Sequence, residues 1–196
     1  MRKLKITELH RITPEAFKQT EKIPLVVVLD NVRSLHNVGS VFRTSDAFRV
    51  AAVYLCGITA TPPQAEIHKT ALGAEDSVDW KYFENTLEAV RELKAAGFHV
   101  AAVEQAENSV SLEHWGDSRL RGNDSPCHCG RDPQSQKYAI VLGNEVHGVD
   151  QDVMNACDSC IEIPQFGTKH SLNVSVTAGI VIWTLFLKLT LAISKK

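Results

Sequence analysis

The chain has 196 residues, enough for one domain or one domain carrying an arm. A hydrophobic share of 44% suits a protein with a real core, and a formal charge of −2 argues against coating nucleic acid by bulk charge, though not against a local basic patch. The opening MRKLKITELHR lacks the apolar stretch of a secretory signal, and five cysteines, an odd number, without an export signal fit reduced cytosolic thiols.

Residues 1–22 read as a basic N-terminal arm, with Leu4, Leu9, Ile12 and Phe17 set among Arg2, Lys3, Lys5, Arg11, Lys18 and Lys22. Such an arm either packs one helical face on the body or forms an RNA-facing lid. The body, residues 23–196, opens with Pro24 and LVVVLD, whose unbroken apolar character predicts a strand buried on both faces. In NVRSLHNVGSVFRTSDAF, residues 31–48, Val38, Val41, Phe42, Ala47 and Phe48 fall at helical spacing. That spacing predicts a helix from near Asn37 or Gly39, followed by the strand VAAVYLCG. Arg43 lies four residues beyond Gly39, in the first turn or so of that helix. From there a guanidinium reaches a phosphate or carboxylate beyond the strand's C-terminal end, although one helical arginine is also accounted for as a solvated charge.

Residues 61–80 make a long connection with a Pro pair, and HKTALGAE resembles a helical turn ended by Gly73. A helix over 86–96 stops at Gly97 and the strand FHVAAVE follows. Strand alternating with helix predicts an α/β fold on a mainly parallel sheet. Residues 115–137 read as a polar loop insertion, rich in Gly, Pro, Ser, Asp and Arg. It holds Cys127, His128 and Cys129, with Cys157 and Cys160 in a later CxxC. Four thiols invite zinc, but Cys-x-Cys is a poor ligand spacing and the CxxC borders an apolar junction, so no metal is expected.

YAIVLGNEVHGVDQDVM, residues 138–154, reads as strand, Gly-bounded loop and helix start, with Gly143 and Gly148 letting the backbone turn tightly and approach a ligand. No Gly-Lys-Ser/Thr and no GxGxxG is present, which disfavours an ordinary nucleotide-binding α/β enzyme. Glu145 is explained at the least as a carboxylate near a helix start. In IEIPQFGTKHSLNVS, residues 161–175, a strand ends at Pro164, a loop with Gly167 follows, and Ser171, Leu172 and Asn173 lead into VSVTAGIVIWTLFL. Ser171 or Asn173 either caps that helix or offers a polar group to a ligand at its free N-terminal amides. Ser175, Thr177, Thr184, Lys188 and Thr190 interrupt the apolar run, which reads as a core or interface helix and not as a membrane anchor.

Three segments, NVRSLHNVGSVFRTSDAF, IVLGNEVHGV and IEIPQFGTKHSLNVSV, resemble in order the motifs of the SpoU (TrmH-like) branch of the SPOUT RNA methyltransferases. The similarity runs over residues 25–187 apart from the insertion. It implies helices on both faces of the sheet and a C-terminal deep trefoil knot, a rare exception to the rule against threaded loops. It also implies a cytoplasmic homodimer that binds S-adenosylmethionine in the knot and methylates a ribose 2′-hydroxyl of tRNA or rRNA. Carried onto this chain, the resemblance makes Asn37 and Arg43 catalytic or RNA-contacting, with Glu145 orienting the arginine and Ser171 and Asn173 shaping the active site. The methyl donor would lie against Leu142, Gly143, Ile163, Ser171 and Leu172, with Asn144, Pro164 and Gln165 nearby. The rival implication is a knotted RNA-binding dimer without catalysis. The joint presence of Arg43, Glu145, Ser171 and Asn173 argues against it. Many relatives carry a separate RNA-binding domain where this chain has only the short arm, so the choice of target stays open.

Overall fold

The computed structural model of the chain describes residues 1–115 and 137–193. Its strands are β1 (Ile23–Asp30), β2 (Val50–Cys56), β3 (Trp80–Phe83), β4 (Phe98–Val103), β5 (Val110–Ser111), β6 (Lys137–Leu142) and β7 (Ser159–Glu162). They form one sheet in the order β3-β2-β1-β6-β4-β7-β5, and every strand pairing is parallel. The helices are α1 (Pro14–Gln19), α2 (Leu35–Ala47), α3 (Ala65–Ala71), α4 (Ala74–Ser77), α5 (Thr86–Ala95), α6 (Gln151–Ala156) and α7 (Val174–Ile193).

Both faces of the central strand are covered, as its apolar run predicts. Leu25, Val27 and Leu29 of β1 pack with Val38, Val41 and Phe42 of α2, Ile67 of α3 and Ala178, Val181 and Ile182 of α7. The alternate residues Val26 and Val28 join Ala89, Val90 and Leu93 of α5 and Val153 of α6. Period-two alternation along one strand therefore divides the core into two layers, with helices on both faces of the sheet.

Several local boundaries differ from the sequence reading. Helix α2 begins at Leu35, because the Ser34 side chain accepts from the Asn37 amide at 3.3 Å and caps it. Gly39 is interior to α2 and marks where α3 crosses: a Cβ there would stand 2.1 Å from Thr70 Oγ1 and 2.3 Å from the Ile67 carbonyl. The earlier start moves Arg43 into the third turn, away from the helix mouth. Leu72, at φ 54°, ends α3 in the left-handed conformation, and Gly73 is instead the N-cap of α4. The edge strand β3 was hidden in the sequence by its exposed residues Trp80, Lys81 and Tyr82.

At the amino end, Thr13 caps α1 and the buried Phe17 packs that helix against the body beside α4. Trp115, at the edge of the polar stretch, belongs to the core, with ring centroids 5.8 Å from His99 and 5.0 Å from Tyr138. Residues 116–136, including Cys127, His128 and Cys129, lie outside the described residues. Helix α7 buries Ala178, Val181, Ile182, Leu185 and Leu189. Its Lys188 ammonium turns back to the carbonyls of Leu112, Glu113 and Trp115 at 3.0, 3.1 and 2.5 Å, which explains a charge within an apolar helix. Among the described residues, no helix is long and apolar enough to cross a membrane.

Candidate active site

In a parallel sheet, ligands bind beyond the C-terminal strand ends. Cavities open there among the described residues. One, of about 280 Å³, is lined by Asp30, Glu84, Asp150 and Asp152. Four carboxylates repel a phosphate backbone, and Asp30 is occupied structurally: only 1% exposed, it accepts from Thr86 Oγ1 at 2.6 Å and from the Asp150 amide at 3.1 Å. The other cavity, of about 290 Å³, lies where the segments after β6, β4 and β7 converge. This is the candidate site.

The segment after β6 supplies Leu142, Gly143, Asn144 and Glu145 to the wall. It is a closed loop, in which Asn144 and Gly148 exchange backbone hydrogen bonds of 2.9 Å in both directions. The Asn144 side chain stiffens it further, accepting from the Val146 and His147 amides and donating to the Asn31 carbonyl at 2.8 Å. Gly143 serves this closure more than it serves a ligand. A Cβ on Gly143 would stand 2.1 Å from both Gly148 C and Val149 N, so the close approach its small size permits is to its own loop.

Glu145 is the hub of a polar chain. Its carboxylate accepts from the Arg33 amide at 3.0 Å, the Ser34 amide at 3.1 Å and Asn37 Nδ2 at 3.0 Å. Burial pushes the carboxyl upward, but those hydrogen bonds outweigh it and leave Glu145 below the ordinary carboxylate value. Asn37 Oδ1 in turn accepts from Asn173 Nδ2 at 3.1 Å. Asn173 Oδ1 accepts from the Ser175 amide at 2.9 Å and from the Val176 amide, so Asn173 is the N-cap of α7.

Of the residues singled out in the sequence, Leu142, Gly143, Asn144, Glu145, Ile163, Gln165, Ser171 and Leu172 line this cavity. Asn37 and Asn173 stand behind it, joined through Glu145. Pro164 is exposed and outside the lining. Arg43 is also exposed and outside it, and its side chain makes no hydrogen bond or ion pair among the described residues. Glu145 therefore does not orient Arg43 within the chain; it holds the start of α2, whereas Arg43 sits more than two turns further along. At about 1.5 Å rise per residue Arg43 stands roughly 12 Å along the axis from the start of α2, and the partners of Glu145 are Arg33, Ser34 and Asn37.

Sequence reasoning missed the segment after β4, where Val103, Glu104 and Gln105 complete the wall. Glu104 accepts from the Val149 amide at 3.2 Å and from the Gln105 amide at 2.9 Å. A polar pair directly after the apolar run FHVAAV was the available signal. His147 and His170 at the rim were missed as well. Among the described residues, no group of three His, Cys, Asp or Glu side chains could hold a metal ion. Burial pushes the Cys157 thiol up to about 12 and raises Cys160 too, which disfavours the thiolate form that metals require.

Fold and site together define a parallel α/β protein with a cavity at its strand ends, set beside a polar chain of two asparagines and a glutamate. The chain belongs to the SpoU rRNA Methylase family, whose model matches residues 24–183. It is 33% identical over 159 residues to the 23S rRNA (guanosine-2′-O-)-methyltransferase RlmB of Neisseria meningitidis serogroup B, which covers 81% of this chain and 56% of that protein. The chain thus spans little more than half the length of the curated relatives it matches. Among solved structures, it resembles an AdoMet-bound rRNA methyltransferase from Sinorhizobium meliloti with a TM-score of 0.71 at 25% identity, over 91% of this chain and 62% of that one. It resembles the A. aeolicus TrmH/SpoU tRNA modifying enzyme with a TM-score of 0.71 at 25% identity, over 92% and 83% of the two chains.

Proposed function

We propose that the chain is an S-adenosylmethionine-dependent methyltransferase acting on a ribose 2′-hydroxyl of tRNA or rRNA, working in the cytoplasm as a homodimer. The observation that carries this reading is convergence. Gly143, Ile163, Ser171 and Leu172, distant in sequence, wall one cavity against which Glu145, Asn37 and Asn173 form a continuous hydrogen-bonded chain. The cavity volume lies at the lower end of the range for small-molecule sites. Free backbone groups of residues 164–172, together with the Ser171 hydroxyl, offer the hydrogen-bonding partners a nucleoside needs.

Support for a knot comes from strand order. β4 and β5 are consecutive in the chain, yet β7 lies between them, so residues 104–109 arch across the later strand. In this reading the C-terminal part passes beneath that arch. Residues 1–22 are then an arm and residues 23–196 the methyltransferase domain, with the polar insertion lying between Trp115 of the core and Lys137 of β6.

Bound S-adenosylmethionine supplies an electrophilic methyl on a sulfonium. The protein's tasks are to align a ribose oxygen with it and to manage the hydroxyl proton. The Glu145–Asn37–Asn173 chain fixes the mouth of α2 against the mouth of α7, which anchors the point where the segment carrying Ser171 and Leu172 enters the helix. Arg43 clamps the neighbouring phosphate and stabilises the developing alkoxide, while the proton passes to phosphate or water, because a guanidinium resists deprotonation. Arg43 acts across the dimer. The exposed apolar residues Val176, Ile180 and Trp183 recur along one side of α7 and suit a second copy of the chain.

Tritiated methyl transfer from S-adenosylmethionine to total tRNA and rRNA, followed by mapping of the modified nucleotide, tests the activity. Incorporation at a ribose is expected, and its absence from both RNA pools defeats the enzyme reading. Arg43→Ala is expected to abolish transfer while donor binding by calorimetry survives. A near-normal Arg43→Lys enzyme would sink the bidentate clamp. A monomer in sedimentation at micromolar concentration would defeat the dimer.

A further inference from the structure

The segment between β7 and α7 is held to the protein by very little. From residue 164 to residue 172 the only hydrogen bond among the described residues is donated by Gln105 Nε2 to the His170 carbonyl, at 2.7 Å. Packing adds little, since Phe166 is 97% exposed and Thr168, Lys169, His170 and Ser171 are exposed too. The same segment carries Gln165, Ser171 and Leu172 of the cavity wall. Gln105 approaches it from the arch between β4 and β5, which lines the same cavity through Glu104 and Gln105.

We infer that Gln105 is a positioning residue, a latch that pins the 164–172 strap across the mouth of the donor pocket. The inference rests on the donor reading above for the identity of the ligand, and on geometry alone for the latch. A strap whose backbone groups are otherwise unbonded leaves them free for a nucleoside, and also leaves the strap free to swing away. One hydrogen bond from the arch sets how often it does so. The direction of that bond matters: a carbonyl accepts, so residue 105 must donate, and a carboxylate of the same shape cannot. Gln105 thereby slows release of a bound nucleoside without touching the reacting atoms.

Two measurements on the full chain test this. Trypsin cleavage between Lys169 and His170, followed by mass spectrometry without ligand, reads the strap directly. Calorimetry and stopped-flow release with S-adenosylhomocysteine read the pocket. Gln105→Ala and Gln105→Glu are expected to speed that cleavage about two- to tenfold and to weaken binding by a similar factor through faster release, the range one hydrogen bond supplies. Gln105→Lys, which restores a donor, is expected to return both readouts toward wild type. Gln105→Glu matching wild type in both, or Gln105→Lys as loose as Gln105→Ala, overturns the latch. If wild type fails to bind S-adenosylhomocysteine while the cleavage difference persists, the donor reading falls and the latch stands.

Discussion

Asn173 donates to Asn37 at 3.1 Å across 136 positions of sequence, and the orientation of both amides follows from Glu145. A carboxylate only accepts, so Asn37 must turn Nδ2 toward Glu145 and Oδ1 toward Asn173. Asn173 must then offer Nδ2 to Asn37, which leaves Oδ1 for the Ser175 amide at the head of α7. One ionised group thus aligns two side chains and caps a helix.

Asn173 carries two separable tasks, and two substitutions separate them. Asn173→Ala loses cap and link together and is expected to cost about 1–2 kcal/mol, lowering Tm by roughly 2–8 °C in thermal denaturation. Asn173→Asp keeps the cap but faces an acceptor toward Asn37 Oδ1. Its Tm should stay closer to wild type than that of Asn173→Ala, while donor affinity falls in both. Equal losses of Tm would show that the link, not the cap, stabilises the protein.

The Glu145 carboxyl sits below its ordinary value in the folded chain, because hydrogen bonds from Arg33, Asn37 and Ser34 outweigh burial. Its stabilisation is therefore complete above the unfolded value of about 4.3 and is lost as pH falls through the lower folded value. Glu145→Gln should be less stable than wild type near neutral pH, and the gap in Tm should close on acidification below about pH 4. A gap that stayed constant to low pH would refute the charged hub.

Gly143→Ala tests the closure of the loop after β6. The new methyl meets backbone at 2.1 Å, which no rotamer relieves. We expect about 1–3 kcal/mol of destabilisation and loss of S-adenosylhomocysteine binding by calorimetry. Normal binding would mean that the loop's shape is not what forms the wall.

Lys188→Met keeps the apolar stem on α7 but strips three carbonyls of their shared donor. The expected cost is about 1.5–3 kcal/mol, seen as a lowered midpoint in urea with an unchanged slope. An unchanged midpoint would show that water replaces the ammonium without penalty.

How much could be read in advance depended on whether a signal was local. LVVVLD announced β1 because burial on both faces demands unbroken apolar residues, and Ser171 or Asn173 before an apolar helix announced a cap, which Asn173 supplies. β3 was invisible because three of its four residues face solvent at the sheet edge. The partnership of Glu145 with the start of α2 was equally hidden, since it joins residues 112 and 111 positions apart. Arg43 was placed too near the helix mouth because the Ser34 cap went unread. Gln105 followed a strand correctly foreseen, but its partner, the His170 carbonyl, is a backbone group that no side-chain pattern marks.

The strand order has a further consequence for how the polypeptide is made. β6 lies between β1 and β4, and β7 between β4 and β5, so a growing chain that has completed β1 through β5 holds one three-stranded half-sheet, β3-β2-β1, and the still unpaired strands β4 and β5. Only when residues 137–142 leave the ribosome can β4 be joined to that half-sheet, and β7 must then enter between β4 and β5. Newborn chains of this protein consequently pass through a stage with an open, pairing-competent sheet edge, along which two such chains can associate.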